Sequence, residues 1–309
     1  MEAASSLPPS RRRRLLLAGL AAVLPLLFAV RRVAIIPDAA PSRAPAAPRH
    51  HDEQQKQHER CRNDDGFTLP APVVEALLHY AASPETPQLT RAELSLAARA
   101  LTTSRAGPRN LLVFGLGRDT ALWAALNHGG RTVFLEEDAS WIDAARAAHP
   151  PGLGLEAYHV AYDTVLADAG ALLRLRDDPA CVAQPDLVAA IAASCGLVPR
   201  GLPAVFGEVE WDVILVDAPT GYDPTRPGRM GAIYAAGMAA RARRAGATTD
   251  VLMHDVDRPV EDMFSRAFLC EAYAVEEVGK LRRFVVPSHR GDAVPPFCPP
   301  DEDAASVSI

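Results

Sequence analysis

The sequence predicts an α/β domain: a doubly wound sheet, mostly parallel, with an antiparallel hairpin at its C-terminal end. Three observations carry this. Short apolar runs with strand character alternate with segments of helical spacing from residue 111 to residue 270, the rhythm of parallel strands crossed by helices. The first of those runs, LLVF (111–114), leads directly into Gly115 and Gly117 and then a helical pattern. The last run, AYAVEEVGKLRRFVVP, reads as two strands joined by a turn at Gly279 and Lys280, which suits an antiparallel sheet edge.

The chain begins with features foreign to such a domain. Residues 1–14 end in four arginines and precede an uncharged apolar run from Leu15 to Val30. If Arg31 and Arg32 snorkel, the span extends to Ile36 and approaches the roughly 20 residues that cross a bilayer core. More positive charge precedes the run than follows it, so residues 1–14 are expected in the cytosol and the remainder in a lumen. A cleaved signal peptide shares the basic start. The two arginines directly after the run, and no small-residue cleavage site at its end, favour an uncleaved signal anchor over residues 15–36. Residues 37–65 are rich in Pro, Ala, His, Gln and charge and read as a flexible stem, in which His50 and His51 are solvated rather than metal-bound. The domain is expected over residues 66–288, followed by a Pro-rich, acidic and disordered tail over 289–309.

Within the domain, helical spacing covers 71–82 and 90–102, before the strand at 111–114 and a helix from Asp119 to Asn127. RTVFLEE (131–137) is a strand, followed by a helix over 140–148. LEAYHVAY (155–162) is strand-like and precedes a helix near 165–175. Residues 176–210 break the rhythm as an insertion; Cys181 and Cys195 within it either pair in an oxidising lumen or remain two buried thiols. WDVILVDA (211–218) and TDVLMHDV (249–256) are apolar strands, each followed by a helical stretch, near 229–244 and 260–270. Trp123 and Trp141 fall in helical patterns and read as core.

The chemistry concentrates at strand ends. A net charge of −6 shows no nucleic-acid footprint, and the five cysteines have no zinc-site spacing. In a doubly wound sheet the ligand sits outside the carboxyl ends of the strands. There Gly115 and Gly117 let the backbone approach a ligand. Glu136, 19 residues after Gly117 and followed by Glu137 and Asp138, can take ribose hydroxyls. A dinucleotide fingerprint would place a third glycine where Thr120 stands, and no P-loop is present. A ligand with a ribose and no pyrophosphate fits; S-adenosylmethionine is one, among other nucleoside-type ligands. Asp217 closes WDVILVD, and His254, Asp255 and Asp257 close TDVLMHDVD. Any of them could cap the next helix, yet two strand ends carrying such residues point to one crevice.

The runs FGLGRDTALWAALNHGGRTVFLEED, WDVILVDAPTGYDPTRPGRMGAIYAAGMAARARR and DVLMHDVDRPVEDMFSRAFLCEAY closely resemble plant glucuronoxylan 4-O-methyltransferases. The resemblance covers about residues 66–288. It implies a Rossmann-like methyltransferase sheet, S-adenosyl-L-methionine as cofactor, and methylation of glucuronic acid side groups of glucuronoxylan in cell-wall biosynthesis. It also implies a type II protein of the Golgi membrane, with other xylan-synthesis enzymes as partners. The wider family includes relatives acting on arabinogalactan glucuronic acid and xylan-assembly proteins without demonstrated methylation. VDAPTGY and HDVDRPVED resemble the methyltransferase branch better, although Met263 stands where a lysine is expected.

For that reaction His254 is the first candidate base, its unperturbed pKa of roughly 6.5 suiting a mildly acidic lumen. Asp217 is the second, as base or as orienting group. Alternatively Asp217, His254 and Asp255 together ligate a divalent metal that acidifies the acceptor hydroxyl. Arg229 and Arg258 are candidates for the acceptor carboxylate, Tyr222 for stacking on a sugar ring, and Asp163, after the third strand, for the adenine.

Overall fold

Seven strands form one sheet: β1 (Asn110–Phe114), β2 (Arg131–Glu136), β3 (Glu156–His159), β4 (Val213–Val216), β5 (Thr248–Met253), β6 (Ala274–Val278) and β7 (Leu281–Pro287). Their order in the computed structural model is β3-β2-β1-β4-β5-β7-β6. The first five run parallel, while β7 pairs antiparallel with both β5 and β6. This is the expected doubly wound, Rossmann-like sheet with its terminal hairpin. The structure describes residues 78, 81, 89–102, 109–148, 154–182, 195–291 and 296–299, all in the unit Glu59–Ile309. The cytosolic tail, anchor and stem expected over 1–65, and most of the helix expected over 71–82, lie outside the described residues. Among the described residues no helix is long and apolar enough to cross a membrane.

The central strands are apolar on both faces because both faces are covered. All four residues of β4 are buried, as are Leu111 to Phe114 in β1. One face carries α1 (Arg91–Thr102), α2 (Thr120–Leu126) and Ile142 of α3 (Ala139–Ala148). The other carries α4 (Met230–Arg241) and α5 (Pro259–Ser265). Helix α4 has every residue buried, because the sheet lies on one side and residues such as Cys181, Cys195 and Leu197 on the other. A helix apolar all round belongs in such an interior position. The helix expected over 260–270 is shorter: after Ser265 the chain widens into a π-type turn, Arg266–Cys270. The one expected over 165–175 is three short segments, Leu166–Asp168, Ala169–Leu173 and Arg174–Asp177.

Register places the chemistry. Phe114 pairs with Leu135 and with Val216, and Val216 pairs with Met253. The ends of β1, β2, β4 and β5 therefore align. Gly115, Glu136, Asp217 and His254 leave the sheet along one edge, where the strand order reverses between β1 and β4.

Two disulfides brace the face behind α4. Cys181 and Cys195 pair within the insertion, whose residues 183–194 lie outside the described set. Cys270 pairs with Cys298, a bond no spacing argument foresaw. Packing thus continues past the boundary expected at Ser288. His289 is buried, and Phe297 meets the Phe268 ring edge-on at 6.3 Å while the Arg241 guanidinium lies 3.9 Å from its centroid. Fully buried Arg241 has no carboxylate partner among the described residues; it donates to the Gly237, Phe268 and Phe297 carbonyls instead.

Phe268 is the hinge of this packing, touching Tyr234, Phe264 and Phe297. Phe268→Ala is expected to cost about 3–5 kcal/mol, read as a lowered denaturant midpoint with an unchanged slope.

Candidate active site

The aligned strand ends open into one cavity of about 510 Å³, in the range of roughly 300–1,000 Å³ usual for small-molecule sites. A second hollow, of about 760 Å³ beside the Cys270–Cys298 bridge, is lined by none of the candidate catalytic, cofactor or acceptor residues.

One wall is the glycine turn. Gly115 has φ of 117°, a region side chains rarely adopt, and a Cβ there would lie 2.9 Å from the Ala218 Cβ. Its amide donates to the Leu135 carbonyl, continuing the β1–β2 ladder. Glu136 is buried and both its oxygens are engaged: Oε2 accepts the Leu116 amide at 2.9 Å and Oε1 the Asp138 amide at 2.9 Å. It fastens the turn first and offers the cavity only its remaining lone pairs. Burial raises its pKa, and the two amide bonds oppose this without reversing it. Glu137 accepts more weakly from the Thr220 amide and hydroxyl, at 3.3 and 3.4 Å. Trp141 is not core: at 46% exposure it stands on the cavity rim and its indole N–H bonds the Leu116 carbonyl. Trp123 is core as expected.

The opposite wall is a charge network. His254 Nδ1 lies 2.8 Å from Asp217 Oδ1. Arg229 Nη2 lies 3.2 Å from Asp217 Oδ1 and 2.7 Å from Asp255 Oδ2, and Arg258 Nη2 is 2.8 Å from the same Asp255 oxygen. Arg229 also donates to the His254 and Pro219 carbonyls. Asp255 takes φ of 60°, the left-handed region that Asp tolerates better than most residues, and so turns its carboxylate back to both guanidinium groups. Burial pushes the Asp217 carboxyl up, but the His254 hydrogen bond and the Arg229 charge hold it below the usual range. For His254 the balance runs oppositely: burial pulls its pKa down, and the Asp217 bond and charge more than offset that, leaving it raised. His254 Nε2 is buried with no hydrogen-bond partner among the described residues.

Several sequence expectations are corrected by these placements. Arg229 lines the cavity but is not free for an acceptor carboxylate: it is buried at the N-cap position of α4 and engaged with Asp217 and Asp255. Asp163 does not line the cavity: it is exposed and paired with Arg200 at 2.5 Å. Arg258 and Tyr222 do line it, Tyr222 being 76% exposed with the Arg258 guanidinium 6.0 Å from its ring. Asp119 was missed. It faces the cavity from the N-cap of α2, where the sequence offered only a helix start. Glu261 was missed too; it is fully buried and 3.8 Å from Arg258 Nη1.

Asp217, His254 and Asp255 each present a ligand atom within 4.8 Å of the others. One imidazole and two carboxylates is a donor set for a divalent ion, so the residue types fit, although Arg229 already compensates both carboxylates.

Glu136→Gln leaves one carbonyl oxygen where two amides need acceptors. It is expected to cost about 1–3 kcal/mol, with faster hydrogen exchange at the Leu116 amide as the local signature.

A family model described as IRX15/IRX15L/GXM matches residues 92–284. The chain is 50% identical over 233 residues to glucuronoxylan 4-O-methyltransferase 2 of Arabidopsis thaliana, covering 75% of this chain and 78% of that protein. It is 44% identical to arabinogalactan O-methyltransferase 2 of the same plant, over 72% and 75% of the two chains. Among solved structures, an O-methyltransferase from Bacillus cereus in complex with SAH matches at 16% identity and a TM-score of 0.35, over 71% of this chain and 93% of that one. A match spanning more than half of the sequence, together with half-identical relatives of similar length, places the chain in the IRX15/IRX15L/GXM family.

Proposed function

We propose that the protein is an S-adenosylmethionine-dependent methyltransferase acting on the 4-hydroxyl of glucuronic acid side groups of glucuronoxylan. The observation that carries it is the pairing of two unlike walls in one cavity: a glycine turn with a buried carboxylate, and a His–Asp pair with guanidinium groups. The first suits a ribose-bearing ligand. The second suits a hydroxyl that must lose a proton beside a carboxylate. The higher identity to the glucuronoxylan enzyme than to the arabinogalactan enzyme supports xylan as acceptor.

S-adenosylmethionine, when bound, supplies an electrophilic methyl group on its sulfonium. Gly115 and Gly117 admit it closely, and Glu136 and Glu137 offer acceptors to its ribose. His254, with its proton on Nδ1 facing Asp217, takes the acceptor hydroxyl's proton at Nε2; Asp217 stabilises the imidazolium formed. Arg229 keeps Asp217 ionised and oriented, and Asp255 holds Arg229 in place. Arg258, partly exposed and with Nη1 lacking a hydrogen-bond partner, holds the uronate carboxylate, and Tyr222 covers the sugar ring. We place the protein in the Golgi membrane, anchored by residues 15–36 with the domain luminal, on the strength of the arginine-flanked apolar segment. Other xylan-synthesis enzymes are its expected neighbours there.

The ligand cluster at Asp217, His254 and Asp255 supports a second reading, in which these residues hold a divalent cation that acidifies the acceptor hydroxyl. Manganese titration followed by electron paramagnetic resonance separates the two: tight binding lost in Asp255→Asn favours the cation, and no binding favours His254 alone as base.

Incubation of the protein with S-adenosylmethionine and glucuronoxylan oligosaccharides is expected to add one methyl per modified uronic acid by mass spectrometry. No gain is expected on unsubstituted xylan, and His254→Ala should abolish transfer. A gain on arabinogalactan alone would overturn the acceptor assignment. The pH dependence follows from the raised pKa of His254: only the neutral ring accepts a proton, so kcat/KM rises with pH through an apparent pKa above about 6.5. In Asp217→Asn the supporting charge is gone while burial remains, so that pKa moves down.

A further inference from the structure

The cavity holds a carboxylate that nothing above uses. Asp119 lies two residues beyond Gly117, at the N-cap position of α2, yet its side chain makes no capping hydrogen bond. Oδ2 instead accepts the indole N–H of Trp123 at 2.9 Å, one turn into the helix. Trp123 is buried, so this bond fixes the carboxylate against the cavity wall. The usual reward of an Asp at a helix start, a bond to an unpaired backbone amide, has been given up to face the cavity.

The charge balance there is incomplete. His254 is bonded to Asp217, Arg229 is engaged with Asp217 and Asp255, and Arg258 pairs through Nη2 with Asp255, leaving Nη1 for the acceptor. No ion pair among the described residues includes Asp119. Burial, and then the nearby Asp217 charge, push its carboxyl up to about 6. A desolvated carboxylate beside a second carboxylate is stabilised by whichever cation enters the cavity. With one oxygen fixed by the indole, its remaining lone pairs have a set direction, which favours a cation carrying N–H donors over one that does not.

We propose that Asp119 binds the α-ammonium group of the amino-acid half of the methyl donor, and so selects ligands bearing a cationic amine. This rests on the S-adenosylmethionine reading above. It divides the cavity's labour: Glu136 and Glu137 serve the ribose, Asp119 the amino acid, and His254 with Arg258 the acceptor. The sulfonium, having no N–H, is not what this carboxylate reads.

Asp119→Asn keeps an acceptor for Trp123 and removes the charge. Binding of three ligands to the purified full chain by calorimetry tests the assignment: S-adenosylmethionine, S-adenosylhomocysteine and 5′-methylthioadenosine, the last lacking the amino-acid half. The variant is expected to weaken the first two equally, by about tenfold or more, and to leave 5′-methylthioadenosine unchanged, which also shows that the site is folded. Loss confined to S-adenosylmethionine would assign Asp119 to the sulfonium and overturn the proposal. Equal loss for all three would make its role structural, and no change would remove it from the site. Failure of the unaltered protein to bind any of the three would instead overturn the methyl-donor reading itself.

Discussion

The site depends on one buried guanidinium between two carboxylates. Asp217 and Asp255 leave neighbouring strands at the same sheet edge, and like charges at that separation in a desolvated wall would repel. Arg229 resolves the conflict by reaching both, at 3.2 and 2.7 Å. Because it also bonds the His254 carbonyl, it fixes the backbone that carries the imidazole. Arg229 stands at the N-cap position of α4, a helix buried on every side, so this wall is anchored in the core. A charge network in this setting is costly to break from either end, since the remaining partner would be left buried and uncompensated.

The glycine wall has its own logic. Gly115 turns where no Cβ fits, and Glu136 and Trp141 then hold Leu116 from opposite sides, the carboxylate taking its amide and the indole bonding its carbonyl. This pre-organised turn faces the charge network because β1 and β2 end level with β4 and β5. The two walls therefore face one cavity, the arrangement that the proposed transfer needs to align its reacting atoms. Behind the sheet, Arg241 performs a different task with the same residue type. It gathers backbone carbonyls and the Phe297 ring, and with the Cys270–Cys298 bridge draws residues 296–298 onto α4 and the turn that follows α5.

The strand sequence, the glycine turn and the polar strand ends were legible without coordinates, because each is a local pattern: apolar runs of four to six residues, two glycines before a helix, and Asp or His closing an apolar strand. Local pattern also suffices to place Gly115, Gly117, Glu136, Asp217 and His254 at one edge once the sheet is parallel, and that much the sequence determined by itself. What it could not determine is which of these side chains face the ligand and which hold one another. Arg229 and Arg258 look alike as loop arginines, yet in the cavity wall one is buried between Asp217 and Asp255 and the other is partly exposed. Trp141 and Trp123 share helical spacing, yet only the second is buried. Asp119 reads as a helix cap until Trp123 is seen to turn it inward. Cys298, in a Pro-rich tail, gave no hint of Cys270, since that pairing follows from distance in space and not spacing in the chain. Orientation, partner choice and burial arise from contacts between segments far apart in sequence, and these the tertiary structure alone decided.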